Sequence, residues 1–226
     1  ANVLGLDVYT GNATEFSDHY GDRVQLTNAD VTSSEDGAAA IAHAQHLFKG
    51  VDGLVNCAGI APGQKIVGRS GAHDLDLFAR AVSINLVGTF NMMRLAAEAM
   101  QKNDPNPEGE RGVIVNTASV AAYEGQIGQA AYAASKGGVV SLTLPAAREL
   151  ARSGIRVMTI APGIFETPMM AGLPQEVQDS LGAKVPFPPR LGRAEEFADL
   201  VAAICTNPML NGEVIRLDGA LRMTAK

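Results

Sequence analysis

Cysteine is scarce in this chain: Cys57 and Cys205 are the only two in 226 residues, too few for the disulfide framework that staples small secreted domains. Each lies in an apolar stretch, so both are expected to be buried free thiols in a reducing compartment. Positive charge is also short. Against 24 Asp and Glu stand 18 Lys and Arg, a formal net charge of −6, which gives no general pull toward nucleic acid or an anionic membrane. No apolar run of about 18 residues marks a membrane span. Residues 1–10, ANVLGLDVYT, lack the basic and apolar regions of a secretory signal. His43 and His46 are three apart on an expected helix, but no acidic or thiol cluster joins them, so they read as solvated side chains and no metal is expected. These absences predict a soluble cytoplasmic protein with a small-molecule substrate and neither a nucleic-acid nor a membrane partner.

What is present suits one α/β domain over residues 1–226, because 46% of the residues are hydrophobic and the length allows a single sizeable core. Short runs rich in Val, Ile and Leu recur: VLGLD (3–7), LVNCAG (54–59), GVIVNTAS (112–119), IRVMTIAPG (155–163) and GEVIRLDG (212–219). Continuous rather than alternating hydrophobicity predicts strands covered on both faces of a parallel sheet. Between them lie helical stretches. Thr32 and Glu35 have capping-box spacing ahead of a helix over 33–49, and residues 74–102 repeat apolar positions at helical spacing. The alternation predicts a doubly wound parallel sheet. Residues 103–112 read as a polar loop, and residues 166–193, with five prolines, as an irregular flap.

Tyr132 and Lys136 are four apart in AAYAASKGG, so on a helix they share one face. A phenol is a poor base at neutral pH, and a nearby ammonium would favour its ionised form. Ser119 closes an expected strand, where strand ends of open α/β sheets line a ligand crevice. The segments NCAG, NTAS, AYAASK and IAPGIFETPM follow in the order and approximate spacing of the classical short-chain dehydrogenase/reductases, which the chain resembles. The resemblance implies a Rossmann-type fold, Tyr132 as general acid/base, Lys136 lowering its pKa and holding the nicotinamide ribose, and Ser119 orienting the substrate oxygen. It also implies that Asn85, in SINLVG, supports a relay to the lysine.

Cofactor residues follow from the same resemblance. Asp7, at the end of the first recognisable strand, can accept from a ribose diol and would repel a 2′-phosphate, which predicts NAD rather than NADP. Asp30 and Val31 match the adenine-contacting pair. Asn56, Cys57, Ala58 and Gly59 match the turn beside the cofactor, Cys57 standing where the family more usually has asparagine. Pro162, Gly163, Ile164, Phe165 and Thr167 match the motif that binds the carboxamide. The family's opening strand and T-G-x3-G-x-G turn, whose backbone N–H groups cradle the pyrophosphate, have no counterpart before Asp7. The chain is therefore expected to lack its first β-α unit, to keep its chemical residues and to bind NAD poorly.

Within the family, residues 116–151 and 207–223 are similar to the type II 3-hydroxyacyl-CoA dehydrogenase branch, which implies NAD-dependent interconversion of 3-hydroxyacyl-CoA and 3-oxoacyl-CoA by a homotetramer. Gln126, Gln129 and Phe165 would then lie near the substrate with Ser119 and Tyr132, and the flap residues Met169, Met170 and Leu173 could cover an acyl chain. A 3-oxoacyl reductase, a broad alcohol or steroid dehydrogenase, and a non-catalytic scaffold retaining the fold stay open. Pro145 removes one helical hydrogen bond near Lys136, and apolar residues around it could face a second subunit.

Overall fold

A computed structural model describes residues 1–9, 11, 19–167, 170 and 174–225. In chain order it contains β1 (Val3–Asp7), β2 (Val24–Asn28), α1 (Ser34–Phe48), β3 (Gly53–Asn56), a hairpin of β4 (Val67–Gly68) and β5 (Gly71–Ala72), α2 (Leu75–Val82), α3 (Thr89–Met100), β6 (Gly112–Thr117), α4 (Ala130–Leu150), β7 (Ile155–Pro162), α5 (Gln175–Gly182), α6 (Ala194–Thr206) and β8 (Val214–Leu217). The two larger sheets are parallel throughout. One has the order β3-β6-β7-β8 and the other pairs β1 with β2.

The pattern of β6 and β7 explains the layers. Successive side chains of a strand point to opposite faces, and both strands are almost wholly buried. Ile114 and Val157 pack with Met92, Ala96 and Met100 of α3 and with Ala146 and Ala147 of α4. Their neighbours Val113, Val115, Met158 and Ile160 face Phe197, Leu200 and Ile204 of α6. Helices therefore cover both faces, as continuous hydrophobic strands require. The expected doubly wound, Rossmann-type sheet is what the chain forms.

Local details differ from the sequence reading. The strand β2, VQLTN, was not visible as an apolar run because its pattern alternates, as suits a half-buried strand. Ser33, not Thr32, caps α1, its Oγ accepting from Asp36 N at 3.1 Å. Thr32 is held instead by Asp30, whose Oδ1 accepts from Thr32 N and Oγ1 at 2.8 and 2.7 Å. The helical stretch from residue 75 is interrupted: a π-helical segment, Ser83–Gly88, joins α2 to α3. Gln175–Gly182 forms a helix inside the region expected to be irregular, whereas Pro145 lies within α4, in the helix that carries Lys136, as expected. Neither thiol is a core residue. Cys57 follows β3 at the mouth of a cleft, and Cys205 lies on an exposed part of the last turn of α6.

Candidate active site

The C-terminal ends of the parallel strands open onto two cavities that share Cys57, Gly59 and Ile60. One, of about 680 Å³, is lined by Ser119, Tyr132, Lys136 and the segment from Pro162 to Thr167. The other, of about 710 Å³, is lined by Asp7, Asp30, Val31, Ala58 and Arg80. Together they make one groove across the strand ends, the place where open α/β sheets bind ligands.

Ser119 follows β6 by two residues and caps a single 3-10 turn, its Oγ accepting from Ala121 N at 3.1 Å. That bond pins the side chain while its hydroxyl faces Tyr132. Tyr132 lies in the first turn of α4, and Lys136 one turn further on the same face. Burial pushes the Tyr132 phenol above its ordinary pKa, with the Ser119 hydroxyl pulling it back down. The Lys136 Nζ stands over the Tyr132 ring, 6.0 Å from its centroid, and donates to Thr117 O at 2.7 Å. Lys136 is 5% exposed. Burial lowers its pKa to about 8, opposed by the nearby Cys57 thiol. Cys57 is itself raised by burial, since protein atoms crowd it although the groove reaches it.

Asn85 is fully buried in the π-helical segment, the irregular helix that often marks functional positions. Its Nδ2 donates to Ile60 O and Ser135 Oγ, both at 2.9 Å, and its Oδ1 accepts from Ile60 N at 2.8 Å. Ser135 Oγ in turn donates to Tyr132 O at 2.7 Å. One amide thus ties the loop after β3 to the helix carrying Tyr132 and Lys136. Asn85→Ala removes three hydrogen bonds, leaving the part-buried N–H and C=O of Ile60 without this partner while Ser135 Oγ keeps its bond to Tyr132 O, and is expected to cost about 3 kcal/mol, since each orphaned group costs roughly 1–3 kcal/mol. Urea unfolding reads this directly, and a midpoint equal to wild type would contradict it.

The remaining expected residues divide. Asp7 ends β1 at the groove, with one carboxylate oxygen accepting from Tyr9 N at 2.9 Å. Asp30 is held below the usual carboxylate range by the Thr32 bonds. Ala58, Gly59, Pro162, Gly163, Ile164, Phe165, Thr167 and Gln129 line the groove as expected. Gly59 has a tight fit there: a Cβ on it would stand 3.1 Å from Asn85 Oδ1 and 3.5 Å from Lys136 Nζ. Two residues depart. Asn56 lines neither cavity, because its amide is drawn into the core to Asn116 Oδ1 at 2.9 Å and Thr89 O at 3.3 Å. Gln126 lines an adjacent cavity instead, its Nε2 donating to Thr224 O at 3.1 Å. Met170 reaches the catalytic cavity, whereas Met169 and Leu173 lie outside the described residues. Phe197 and Met223 also line it. Nothing local in the sequence signals them, because each arrives from a distant part of the chain.

Comparison with known proteins covers the whole chain. The family model described as enoyl-(acyl carrier protein) reductase matches residues 1–221. The 3-hydroxyacyl-CoA dehydrogenase type-2 of Drosophila melanogaster is 53% identical over 225 residues, 99% of this chain and 88% of the relative. The Homo sapiens enzyme of the same name is 52% identical over 99% of this chain and 86% of its own. A crystal structure of 3-hydroxyacyl-CoA dehydrogenase type-2 from Mycobacterium avium superposes with a TM-score of 0.94 at 43% identity, covering 100% of this chain and 88% of that one. A serine, a tyrosine and a lysine converging at the strand ends, and similarity along the full length, lead to one conclusion: this chain belongs to the short-chain dehydrogenase/reductase family and is an oxidoreductase acting on CH–OH donors.

Proposed function

We propose that this chain interconverts 3-hydroxyacyl-CoA and 3-oxoacyl-CoA with NAD as its cofactor. The observation that carries the reading is the convergence of Ser119, Tyr132 and Lys136 on one cavity, in a chain so similar to proteins named for that dehydrogenase activity. A scaffold without catalysis would have no use for a buried lysine beside a buried phenol.

The residues present fit a nicotinamide dinucleotide. Lys136 has donors beyond the one spent on Thr117 O, and Gly59 leaves room beside it that a Cβ would fill. In this reading the Lys136 ammonium holds ribose hydroxyls, Ile164 and Thr167 hold the carboxamide, and Asp30 and Val31 flank the adenine. The other carboxylate oxygen of Asp7 accepts from the adenosine diol. Bound there, the nicotinamide supplies hydride transfer to or from the substrate carbon. Ser119 hydrogen-bonds the substrate oxygen and Tyr132 exchanges a proton with it at the phenolic oxygen. Gln129 and Phe165 border the substrate, and Asn85 keeps Ile60 and Ser135 in register behind the reacting groups. Assembly as a homotetramer is supported by apolar side chains on the outer faces of the helices, among them Val87, Phe90 and Leu144.

The test is formation of NADH from 3-hydroxybutyryl-CoA, run after titration of NAD onto the same protein. NAD is expected to exceed NADP in kcat/KM by on the order of 100-fold, since a like charge against the 2′-phosphate costs several kcal/mol. Asp7→Ala should erase most of that preference. Equal use of the two cofactors by the unaltered chain would reject the role of Asp7, and no turnover with either would reject the activity.

A further inference from the structure

The segment Leu221–Ala225, which follows β8, is tied to the loop just ahead of the helix that carries Tyr132. Glu124 is the hub. Its carboxylate accepts from Arg216 Nη1 and Nη2 at 2.9 and 3.2 Å and from Met223 N at 2.9 Å, with Arg222 Nε 3.5 Å away. Arg216 also donates to Asp218 Oδ2 at 2.7 Å and Leu221 O at 3.0 Å, and it stands over the Tyr123 ring, 5.3 Å from its centroid. Two further bonds continue the seam, Gln126 Nε2 to Thr224 O at 3.1 Å and Ile127 N to Ala225 O at 3.0 Å.

This is not an ordinary surface ion pair. The Asp218 side chain is 7% exposed and those of Glu124 and Arg216 are 21% and 23%, so the charges are partly shielded and act as a network with bidentate geometry. Leu221 anchors the strap in the interior. The consequence falls on Met223, which becomes part of the wall of the cavity that holds Ser119 and Tyr132. Gln129, whose Oε1 accepts from Gln126 N at 3.0 Å, belongs to the same wall. The seam therefore holds two residues of the cavity lining, Met223 and Gln129.

We propose that Met223 is a specificity-determining residue that sets how long an acyl group the cavity accepts, and that Glu124 is the positioning residue that holds it in the wall through its own bond and through Arg216. The inference rests on the 3-hydroxyacyl-CoA reading above. A methionine is flexible and apolar, so it can border a short acyl group closely and obstruct a long one. Apolar pockets discriminate by about 10-fold or more per methylene.

The experiment measures kcat/KM for 3-hydroxybutyryl-CoA and for 3-hydroxydodecanoyl-CoA at saturating NAD, using the full chain. Met223→Ala is expected to raise the long-to-short ratio by about 10-fold, and Met223→Phe to lower it below wild type. Glu124→Gln should shift the ratio in the same direction as Met223→Ala through KM for the long substrate rather than kcat, a split that general loosening of the fold would not produce. If Met223→Ala fails to fold, the direction given by Met223→Phe decides. A ratio unchanged in both Met223 variants overturns the inference alone. A wild-type chain that turns over neither substrate overturns the inference together with the activity on which it rests.

Discussion

Replacing Tyr132 by phenylalanine is expected to lower kcat by about 10²–10⁴-fold, the range that positioned acid–base catalysis contributes, while leaving the fold and cofactor affinity close to wild type. The ring keeps its volume and packing, and only the oxygen shared with Ser119 is removed. Burial holds the phenol above its ordinary pKa, so at neutral pH it carries its proton and is poised to give it to a carbonyl oxygen. In the opposite direction it must first lose that proton to solvent, so that the phenolate oxygen can take the proton of the alcohol. Oxidation of the alcohol should therefore rise with pH, whereas reduction of the ketone should be nearly flat through neutrality. Steady-state rates in both directions, with thermal unfolding and NAD titration as controls, check this. Activity retained in Tyr132→Phe would move the proton chemistry to another group.

How much of this was legible beforehand depends on how local each signal is. The strands β6 and β7 announce themselves because all but their last residues are buried, so no alternation hides them. The tyrosine and lysine are visible because one helical turn separates them. Asn85 could be picked out by its motif, but its work could not: its partners Ile60 and Ser135 are 25 and 50 residues away, and nothing in SINLVG shows that the helix widens into a π turn there. Asn56 illustrates the converse. Its motif places it beside a cofactor, yet a buried amide must satisfy its donors, and Asn116 and Thr89 offer the nearest acceptors. The Glu124 hub was invisible for the same reason of distance, its bonds spanning 92 and 99 residues. Cys57 looked like a core thiol because its neighbours are apolar, but the strand ends just before it and leaves it at the groove.

Lys136→Met should have opposite effects on stability and on catalysis, and this contrast is the sharper test of the site. Burial lowers the folded-state pKa of Lys136 to about 8, against about 10.4 in an unfolded chain. At pH 7 the native protein must hold an ammonium in a place that disfavours it, at a cost of about 3 kcal/mol at 1.36 kcal/mol per unit. Methionine has nearly the same shape and no charge. It forfeits the bond to Thr117 O, about 1 kcal/mol, so the variant is expected to be more stable than wild type by about 2 kcal/mol at pH 7. The sign of the pH dependence follows from the depressed pKa: the unfolded chain binds the proton more tightly. Wild-type stability is thus full above about pH 10.4 and is lost as the pH falls through about 8. The methionine variant has no such term, so its advantage should shrink steadily as unfolding is repeated from pH 8 toward pH 10. Parallel stability profiles for the two proteins would show that the lysine is not the strained group. Turnover should meanwhile collapse, because methionine can neither hold ribose hydroxyls nor place a positive charge near the phenol. A buried charge that weakens the fold and cannot be removed without losing the reaction is what a site built for chemistry, rather than for stability, requires.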